Sequence, residues 1–165
     1  MTKLIMLTLT LLLPGPLMAI EQKIVYGYVE RAILLDQKLH LLAKFDTGAK
    51  SASLSAIEIR KIEENGQYYL YFKVPYKAAI IQFKSPYIGK VKIKLRTGEI
   101  AKHNMQKEAV KRPVVMIDVQ IGNKIRKIRV NLTNRKRFNY PLLLGRDAII
   151  AFDGLVDPSC KYNIK

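Results

Sequence analysis

Two pairs of apolar-rich runs, each joined by a short turn, most constrain what this chain can fold into. In the first pair, Ile57–Ile62 and Tyr68–Val74 lie on either side of a turn at Asn65-Gly66. An Asn-Gly dipeptide between two such runs is a strong indicator of a β-hairpin. We therefore expect these two runs to be antiparallel neighbours in a sheet.

The second pair follows the same logic further along the chain. Pro113–Ile121 and Lys124–Leu132 lie on either side of Gly122-Asn123. The second of these runs carries apolar side chains between basic ones, which is typical of a strand with one face on the core. The apolar side chains of this run that we expect to face the core are Ile125, Ile128, Val130 and Leu132.

The remaining segments also favour strands. Ile24–Leu35 and Leu39–Phe45 are rich in apolar, β-branched and aromatic residues, whereas Arg146–Phe152 has the pattern of a short helix. Pro75–Arg112 is basic and less regular, so it is either an exposed flap or substrate-contacting loop, or a solvated surface meander. Without a long repeat or a linker, the chain is expected to form one mostly-β domain.

Residues 1–19 have the organisation of a secretory signal peptide. A basic start precedes the apolar run Leu4–Leu13, which is followed by Pro14 and by small residues up to Ala19. Ten apolar residues rise only about 15 Å as a helix, about half of a bilayer core, so a stable membrane span is not expected. We therefore expect cleavage after Ala19, a mature domain at 20–165, and a periplasmic or secreted protein.

The charge is strongly positive, with 29 Lys and Arg against 13 Asp and Glu among 165 residues. Such an excess attracts anions, and nucleic acid, acidic polypeptides, cell-wall polymers and lipid headgroups are all candidates. The aromatic residues cluster at Tyr68–Phe72 rather than between the basic residues, which makes nucleic acid the unlikely partner. Cys160 is the only cysteine, so the chain has no internal disulfide.

The tripeptide Asp46-Thr47-Gly48 follows the apolar run Leu39–Phe45. In aspartic peptidases this tripeptide holds a carboxylate that activates water, while a second carboxyl about 3 Å away shares its proton. The chain contains the tripeptide once, so this chemistry requires a homodimer that pairs Asp46 with Asp46. The alternative is an ordinary Asp-x-Gly turn without catalytic function.

Four segments in this order resemble a bacterial retropepsin-like family that is often labelled ATP-dependent zinc protease. The segments are KFDTGAKSASLSAIEI (Lys44–Ile59), KRPVV (Lys111–Val115), VNLTNRKRFNYPLLLGRDAI (Val130–Ile149) and LVDPSCKY (Leu155–Tyr162). The resemblance implies a closed β-barrel acid-protease lobe with one short helix. It also implies an association with ATP-grasp ligase systems, in which the peptidase trims glutamate tails that the ligase adds.

The resemblance also assigns residues. It implies that Asp46, Thr47 and Gly48 form the catalytic loop. The residues that it implies for shaping the substrate site are Lys50, Ser51, Asn131, Thr133, Arg135 and Arg146. The chain departs from the family at Ser51, where Thr is usual, and at Ser55, where His is usual.

No metal or cofactor is expected. The ligand types that zinc prefers are scarce, with only His40, His103 and Cys160 and no paired spacing. The chain also lacks a Gly-rich phosphate loop of the Walker type, so any dependence on ATP would belong to a partner.

The basic residues on and after the second hairpin admit two readings. They form either an anion-recognising rim beside the Asp46 loop or a solvated strand face. These residues are Arg126, Lys127, Arg129, Arg135, Lys136 and Arg137.

Two functions follow from these features. The first is an exported aspartic peptidase acting on an acidic peptide or polyglutamate-type substrate, with Asp46 as the catalytic group. The second is a non-catalytic, protease-like module that binds an anionic polymer or a partner protein through its basic surface.

Overall fold

A computed structural model describes residues 22–93 and 109–164, so the expected signal peptide, residues 1–19, lies outside the described residues. Within these ranges the elements are β1 (Ile24–Gly27), β2 (Val29–Leu34), a 3-10 turn (Leu35–Gln37), β3 (Leu39–Phe45), β4 (Ala52–Ser55), β5 (Ile57–Glu64), β6 (Gln67–Tyr76), β7 (Ala79–Ile93), β8 (Val110–Ile121), β9 (Lys124–Thr133), β10 (Leu142–Leu144), α1 (Arg146–Ala151) and β11 (Gly154–Asp157). Neither helical segment in the described ranges is long and apolar enough to cross a membrane.

Six strands close into a barrel in the order β2-β3-β10-β4-β9-β8, and pairing of β2 with β8 completes the circle. The closing contacts are Ile33 with Gln120 and Leu34 with Val119. The pairs β3–β10 and β4–β9 are parallel, and the other pairs in the barrel are antiparallel. The expected closed β-barrel with one short helix is thus confirmed.

Side-chain alternation separates the two faces of the barrel wall. Ala43, Leu142, Leu54 and Val130 belong to the buried core, on strands β3, β10, β4 and β9 respectively. Their neighbours along the strands face the outer side, because successive side chains in a strand point to opposite faces. This outer face of the four strands is where the candidate site lies.

Both expected hairpins are present. In the first, Glu64 pairs with Gln67, and in the second, Ile121 pairs with Lys124. The expectation that Ile125 faces the core is wrong, since its side chain is 49% exposed while Ile128 is buried. Ile128 lies three positions after Ile125, and an odd offset along a strand places two side chains on opposite faces.

The region Pro75–Arg112 is more regular than its sequence indicates. β7 runs without interruption from Ala79 to Ile93, pairing first with β6 and then with β8. The change of partner coincides with a register shift between Tyr87 and Lys90, where Gly89 has a positive φ of 118° that glycine adopts without strain. Residues 94–108, where a flap was one of the two expectations, lie outside the described residues.

The predicted strand Ile24–Leu35 is divided in two, because the chain turns between β1 and β2 beside the buried carboxylate of Glu30. Glu30 Oε1 accepts hydrogen bonds from the backbone N–H groups of Gly27 at 2.7 Å and Asn163 at 2.9 Å. β1 then pairs in parallel with β11. The first and last described strands are therefore fastened together beside the barrel.

Candidate active site

Asp46 lies directly after β3, where the chain enters a tight loop. Its backbone N–H donates to the carbonyl of Leu144 on β10 at 2.9 Å, which fixes the start of the loop. The N–H of Ala49 donates to the Asp46 carbonyl at 3.1 Å, and the N–H of Gly48 donates to Asp46 Oδ1 at 3.0 Å. The loop therefore presents a half-buried carboxylate that is oriented by its own backbone.

The segment after β10 supports this loop from below. The N–H groups of Arg146 and Asp147 donate to the carbonyls of Ala49 and Lys50 at 2.9 and 3.0 Å. A Cβ atom on Gly145 would lie 2.8 Å from the Ala49 oxygen, so the close approach requires glycine. The Gly-Arg pair of the sequence motif thus joins the start of α1 to the Asp46 loop.

Asp46 opens onto a cavity of about 630 Å³. Among the described residues that line it, Asp46 is the one carboxylate. The cationic lining residues are Lys44, Lys50, Lys92, Arg112, Arg135 and Arg137. A second cavity of about 420 Å³ adjoins the first, with Lys50, Ser51 and Asn131 lining both.

The floor of the larger cavity is one row of side chains on the outer face of the barrel. Lys44 is opposite Leu143, Leu143 is opposite Ser53, and Ser53 is opposite Asn131 in four adjacent strands. Asn131 is buried, and its side-chain nitrogen donates to the Ala52 carbonyl and, at 3.3 Å, to Ser51 Oγ. The sheet register therefore gathers polar side chains that are far apart in the sequence.

Arg135 is 6% exposed, which is unusual for an arginine. Its backbone N–H donates to Ser55 Oγ at 3.3 Å, its Nε donates to the Tyr140 carbonyl at 3.2 Å, and its guanidinium carbon lies 4.4 Å from the Phe138 ring centre. Burial and the nearby charge of Arg112 lower the pKa of Arg135 to about 10, against the favourable charge of Asp46. Arg135 is still protonated at neutral pH.

The site residues implied by the family resemblance divide into two groups. The first group lines the cavity and consists of Asp46, Gly48, Lys50, Ser51, Asn131 and Arg135. The second group lies outside the lining. Arg146 Nη1 donates to the Thr47 carbonyl at 2.9 Å, and the Thr133 carbonyl accepts from the N–H of Ala56 at 2.9 Å. The catalytic and binding roles of all these residues stay predictions.

Other cavity residues were missed by the sequence reasoning. They include Lys44, Ser53, Lys92, Arg112, Phe138, Asn139 and Tyr140. Lys44 and Ser53 could have been found from strand alternation. Lys44 lies two positions before Asp46 and Ser53 lies two positions after Ser51, and side chains two positions apart in a strand share a face. Lys92 and Arg112 belong to the basic region Pro75–Arg112, for which substrate contact was one expectation, but neither residue was singled out within it.

The expected basic rim is only partly beside Asp46. Arg135 and Arg137 line the cavity, whereas Arg126 and Lys127 do not. Arg126 donates from Nη2 to Asp153 Oδ2 at 3.0 Å and from Nε to a backbone carbonyl, and Lys127 lies 3.5 Å from Asp118. The rim expectation is therefore wrong for Arg126 and Lys127, whose charges are engaged elsewhere.

The described residues hold no group of three or more His, Cys, Asp or Glu side chains arranged for a metal ion. His40 is exposed on β3, and His103 lies outside the described residues. The expectation of a protein without metal or cofactor stays a prediction.

Comparison with known proteins decides the family. The RimB-like family, described as retropepsin-like aspartic endopeptidase RimB, matches residues 25–165. The chain belongs to this family. The family suspected from the sequence motifs is confirmed, and with it the protease-like fold.

Relatives and a solved structure agree with this assignment. Proteins named "Probable alpha-L-glutamate ligase" from Shewanella halifaxensis (strain HAW-EB4) and Shewanella pealeana (strain ATCC 700345 / ANG-SQ1) are 31% and 30% identical over 121 residues, which is 71% of this chain. The match spans 24% of the length of each of these relatives. The crystal structure of Lpg0085, a protein of unknown function from Legionella pneumophila, is 52% identical, with a TM-score of 0.72 over 86% of this chain and 98% of that chain.

Proposed function

We propose that this RimB-like chain is an exported aspartic-type peptidase, a hydrolase that cleaves peptide or isopeptide bonds in an acidic, glutamate-rich or cell-wall substrate. The observation that carries the proposal is a single oriented carboxylate, Asp46, in a cavity otherwise rich in cations. The protease-like family supports hydrolysis, and the expected signal peptide at 1–19 supports export.

The chemistry requires Asp46 to accept a proton from a water molecule while the water oxygen attacks the substrate carbonyl carbon. A second carboxyl must donate a proton to the carbonyl oxygen, which gives a tetrahedral diol intermediate. As this intermediate collapses, the protonated Asp46 gives its proton to the leaving amine, and the second carboxylate takes a proton back from a hydroxyl of the intermediate. Asp46 is the one carboxylate among the described residues that line the larger cavity, whereas Asp147 lines the adjoining one. We assign the second carboxyl to Asp46 of a second copy related by a two-fold axis.

The substrate class follows from the cations. Arginine binds carboxylates through two parallel hydrogen bonds, and lysines add positive potential around the entrance. The two adjoining cavities provide room for an extended acidic peptide. Relatives named as glutamate ligases support a functional link to an ATP-grasp ligase system, for which this chain would remove glutamate residues.

A non-catalytic binding module is the second candidate. It is favoured by Ser55, which is buried and whose backbone N–H donates to Pro141 at 2.7 Å, at a position where the related motif usually has histidine. In this case the cations would hold an anionic polymer or partner without hydrolysis. The two candidates share the ligand chemistry and differ in the need for Asp46.

The deciding experiment compares Asp46→Asn with the unchanged protein on α- and γ-linked oligoglutamate, with products followed by mass spectrometry. We expect Asp46→Asn to lower the cleavage rate by at least about 10³-fold, because a water without its base reacts slowly. Asp36→Asn is the matched control, since Asp36 is exposed on the 3-10 turn and does not line the cavity. Equal cleavage by Asp46→Asn would contradict the proposal.

Mixing the two proteins tests the shared site. If each active centre needs two Asp46 carboxylates, an excess of Asp46→Asn protein captures wild-type chains in inactive heterodimers. Activity should then fall after subunit exchange, whereas an excess of the Asp36→Asn protein should not lower it. Binding of oligoglutamate without cleavage by the wild-type protein would favour the binding module instead.

A further inference from the structure

The guanidinium of Arg135 is held in place on one side and open on the other. Nε is fixed by the Tyr140 carbonyl, and the planar group lies over the Phe138 ring. Within the described part of the chain, Nη1 and Nη2 have no hydrogen-bond partner, although the residue is 6% exposed and lines the cavity. An arginine in this state is ordered before any ligand arrives, so little conformational entropy is lost on binding.

A second buried group in the same cavity also lacks a partner. Ser53 is 4% exposed, and its Oγ has no hydrogen-bond partner among the described residues. Buried hydroxyl groups are almost always satisfied, so an unsatisfied one that lines a cavity indicates a missing acceptor or donor. Ser53 lies on the cavity floor between Leu143 and Asn131.

The charged side chains that line the cavity around these two groups are mostly basic. Arg112 and Arg135 repel each other, and Asp46 is the one anionic side chain among the described residues of the cavity. Arg112 donates to Asn131 Oδ1 at 3.5 Å, which holds it near the cavity floor. A bound anion would reduce this repulsion.

We propose that the open side of the Arg135 guanidinium and the Ser53 hydroxyl form a subsite that binds one substrate carboxylate. The carboxylate is either the C-terminal carboxylate of the substrate or a glutamate side chain beside the bond to be cleaved. That a bond beside this carboxylate is cleaved rests on the proposed function. Binding of the carboxylate does not require hydrolysis. Arg135 is then a specificity-determining residue.

A carboxylate fits this subsite better than a phosphate group. Two parallel N–H groups match a planar carboxylate, and the hydroxyl can donate to one of its oxygens. The nearby Asp46 carboxylate opposes a phosphate dianion more than a single charge. Inorganic phosphate therefore should compete weakly with an acidic peptide.

The test measures binding in the Asp46→Asn background, so that no probe is cleaved. The probes are fluorescent tetraglutamate, the same peptide with a C-terminal amide, and tetraglutamine. We expect Arg135→Gln to weaken tetraglutamate binding at least about ten-fold and to remove the preference over tetraglutamine, because the fork that distinguishes the carboxylate is lost. Arg135→Lys should bind tetraglutamate little better than Arg135→Gln does, because an ammonium group lacks the planar fork of the guanidinium.

Arg60→Gln is the matched control for charge, because Arg60 is exposed on β5 and does not line the cavity. Its effect should be small and should disappear at high salt, whereas the effect of Arg135→Gln should persist. Ser53→Ala is the second variant, since it removes the hydroxyl without a charge change even if Arg135→Gln fails to fold. We expect it to weaken tetraglutamate binding several-fold and tetraglutamine binding little.

The outcomes separate this subsite from the proposed function. Loss of binding on C-terminal amidation assigns the subsite to a chain terminus, and retained binding assigns it to a side-chain carboxylate. Unchanged Glu-over-Gln preference in a folded Arg135→Gln or in Ser53→Ala overturns the subsite, as does absence of tetraglutamate binding or strong competition by phosphate. Arg135-dependent binding by a wild-type protein that cleaves nothing would refute the peptidase and keep the subsite.

Discussion

The carboxylate of Asp153 is paired with cations of its own chain, whereas that of Asp46 faces a cavity. Asp153 accepts hydrogen bonds from Lys124 Nζ at 2.7 Å and Arg126 Nη2 at 3.0 Å. The Asp46 carboxylate accepts one hydrogen bond, from the N–H of Gly48 in its own loop. It lines the same cavity as Arg135, whose Nη1 and Nη2 have no hydrogen-bond partner among the described residues. One cluster is complete in the folded chain, and the other is not.

The difference distinguishes an ion cluster that stabilises the fold from one that is available to a ligand. Around Asp153 the cations also fasten β9 to the end of α1, because Arg126 Nε donates to the Ala151 carbonyl at 2.7 Å. Around Asp46 the loop is fixed by backbone hydrogen bonds, by the Asp46 carboxylate at Gly48 and by Arg146 at the Thr47 carbonyl. The cations that line the cavity are not among these contacts. Charge replacement should therefore affect activity at one cluster and stability at the other.

Among the variants that change how the two clusters are supported, Gly145→Ala has the largest expected effect, and it should act on the Asp46 loop. The new Cβ would lie 2.8 Å from the backbone of Ala49 and Lys50, so the loop must move. We expect a stability loss of about 1–3 kcal/mol from overpacking and a fall in activity of about 10²-fold from the displaced carboxylate. Denaturant unfolding and oligoglutamate cleavage measure the two effects.

Gly48→Ala is the matched control in the same loop. Its Cβ would approach only Asp46 Oδ1, at 3.2 Å, so its stability loss should be smaller than that of Gly145→Ala. An equal stability loss for the two variants would contradict the importance of the contact beneath the loop.

The next effect is that of Asp153→Asn, which should lower the melting temperature and leave oligoglutamate cleavage unchanged. Asparagine keeps the shape and tolerates the positive φ of 53° at this position, so the change reports the charge. Hydrogen bonds from Lys124 and Arg126 lower the pKa of Asp153 below its ordinary value of 3.8. The stabilisation should thus be complete above pH 3.8 and be lost as the pH falls through the lowered pKa.

Thermal unfolding of both proteins from neutral pH down to about pH 2 checks this prediction. The difference in melting temperature should be constant at mildly acidic and neutral pH and should vanish at the lowest values. The outcome that would contradict the comparison is a difference that grows as the pH falls, or a loss of cleavage in Asp153→Asn.

The smallest expected effect compares two buried serines. Ser85 Oγ donates to the Met116 carbonyl at 2.7 Å, whereas Ser53 Oγ has no partner among the described residues. Ser85→Ala should therefore cost about 1 kcal/mol of unfolding free energy, and Ser53→Ala should cost close to nothing. Equal costs, measured by urea unfolding, would mean that Ser53 has a structural partner in the folded chain.

Local patterns were sufficient for much of the fold. The turns at Asn65-Gly66 and Gly122-Asn123 predicted both hairpins, since these residues set the turn type directly. The pattern of Arg146–Phe152 predicted the short helix, and its position beneath the Asp46 loop is seen in the structure. The family resemblance then provided the closed barrel, which periodicity could not give because closure depends on pairing β2 with β8 far along the chain.

The errors come from interactions between distant segments. Nothing near Arg126 in the sequence indicates that Asp153 neutralises it, and nothing near Ser53 indicates that a cavity forms above it. The prediction for Ile125 is wrong for a local reason, because its odd offset from Ile128 puts its side chain on the exposed face of β9. A cavity floor assembled from four strands is visible only after the register is known.

The tether at Glu30 has a consequence for how the chain folds. Glu30 is buried on β2. Its carboxylate accepts hydrogen bonds from the N–H groups of Asn163 and Ile164, which lie 133 and 134 residues later in the sequence. A nascent chain that has reached only β10 leaves this carboxylate with fewer donors, and β1 without its partner. The barrel can therefore fold completely, with β1 docked beside it, only after the chain has been synthesised as far as Ile164.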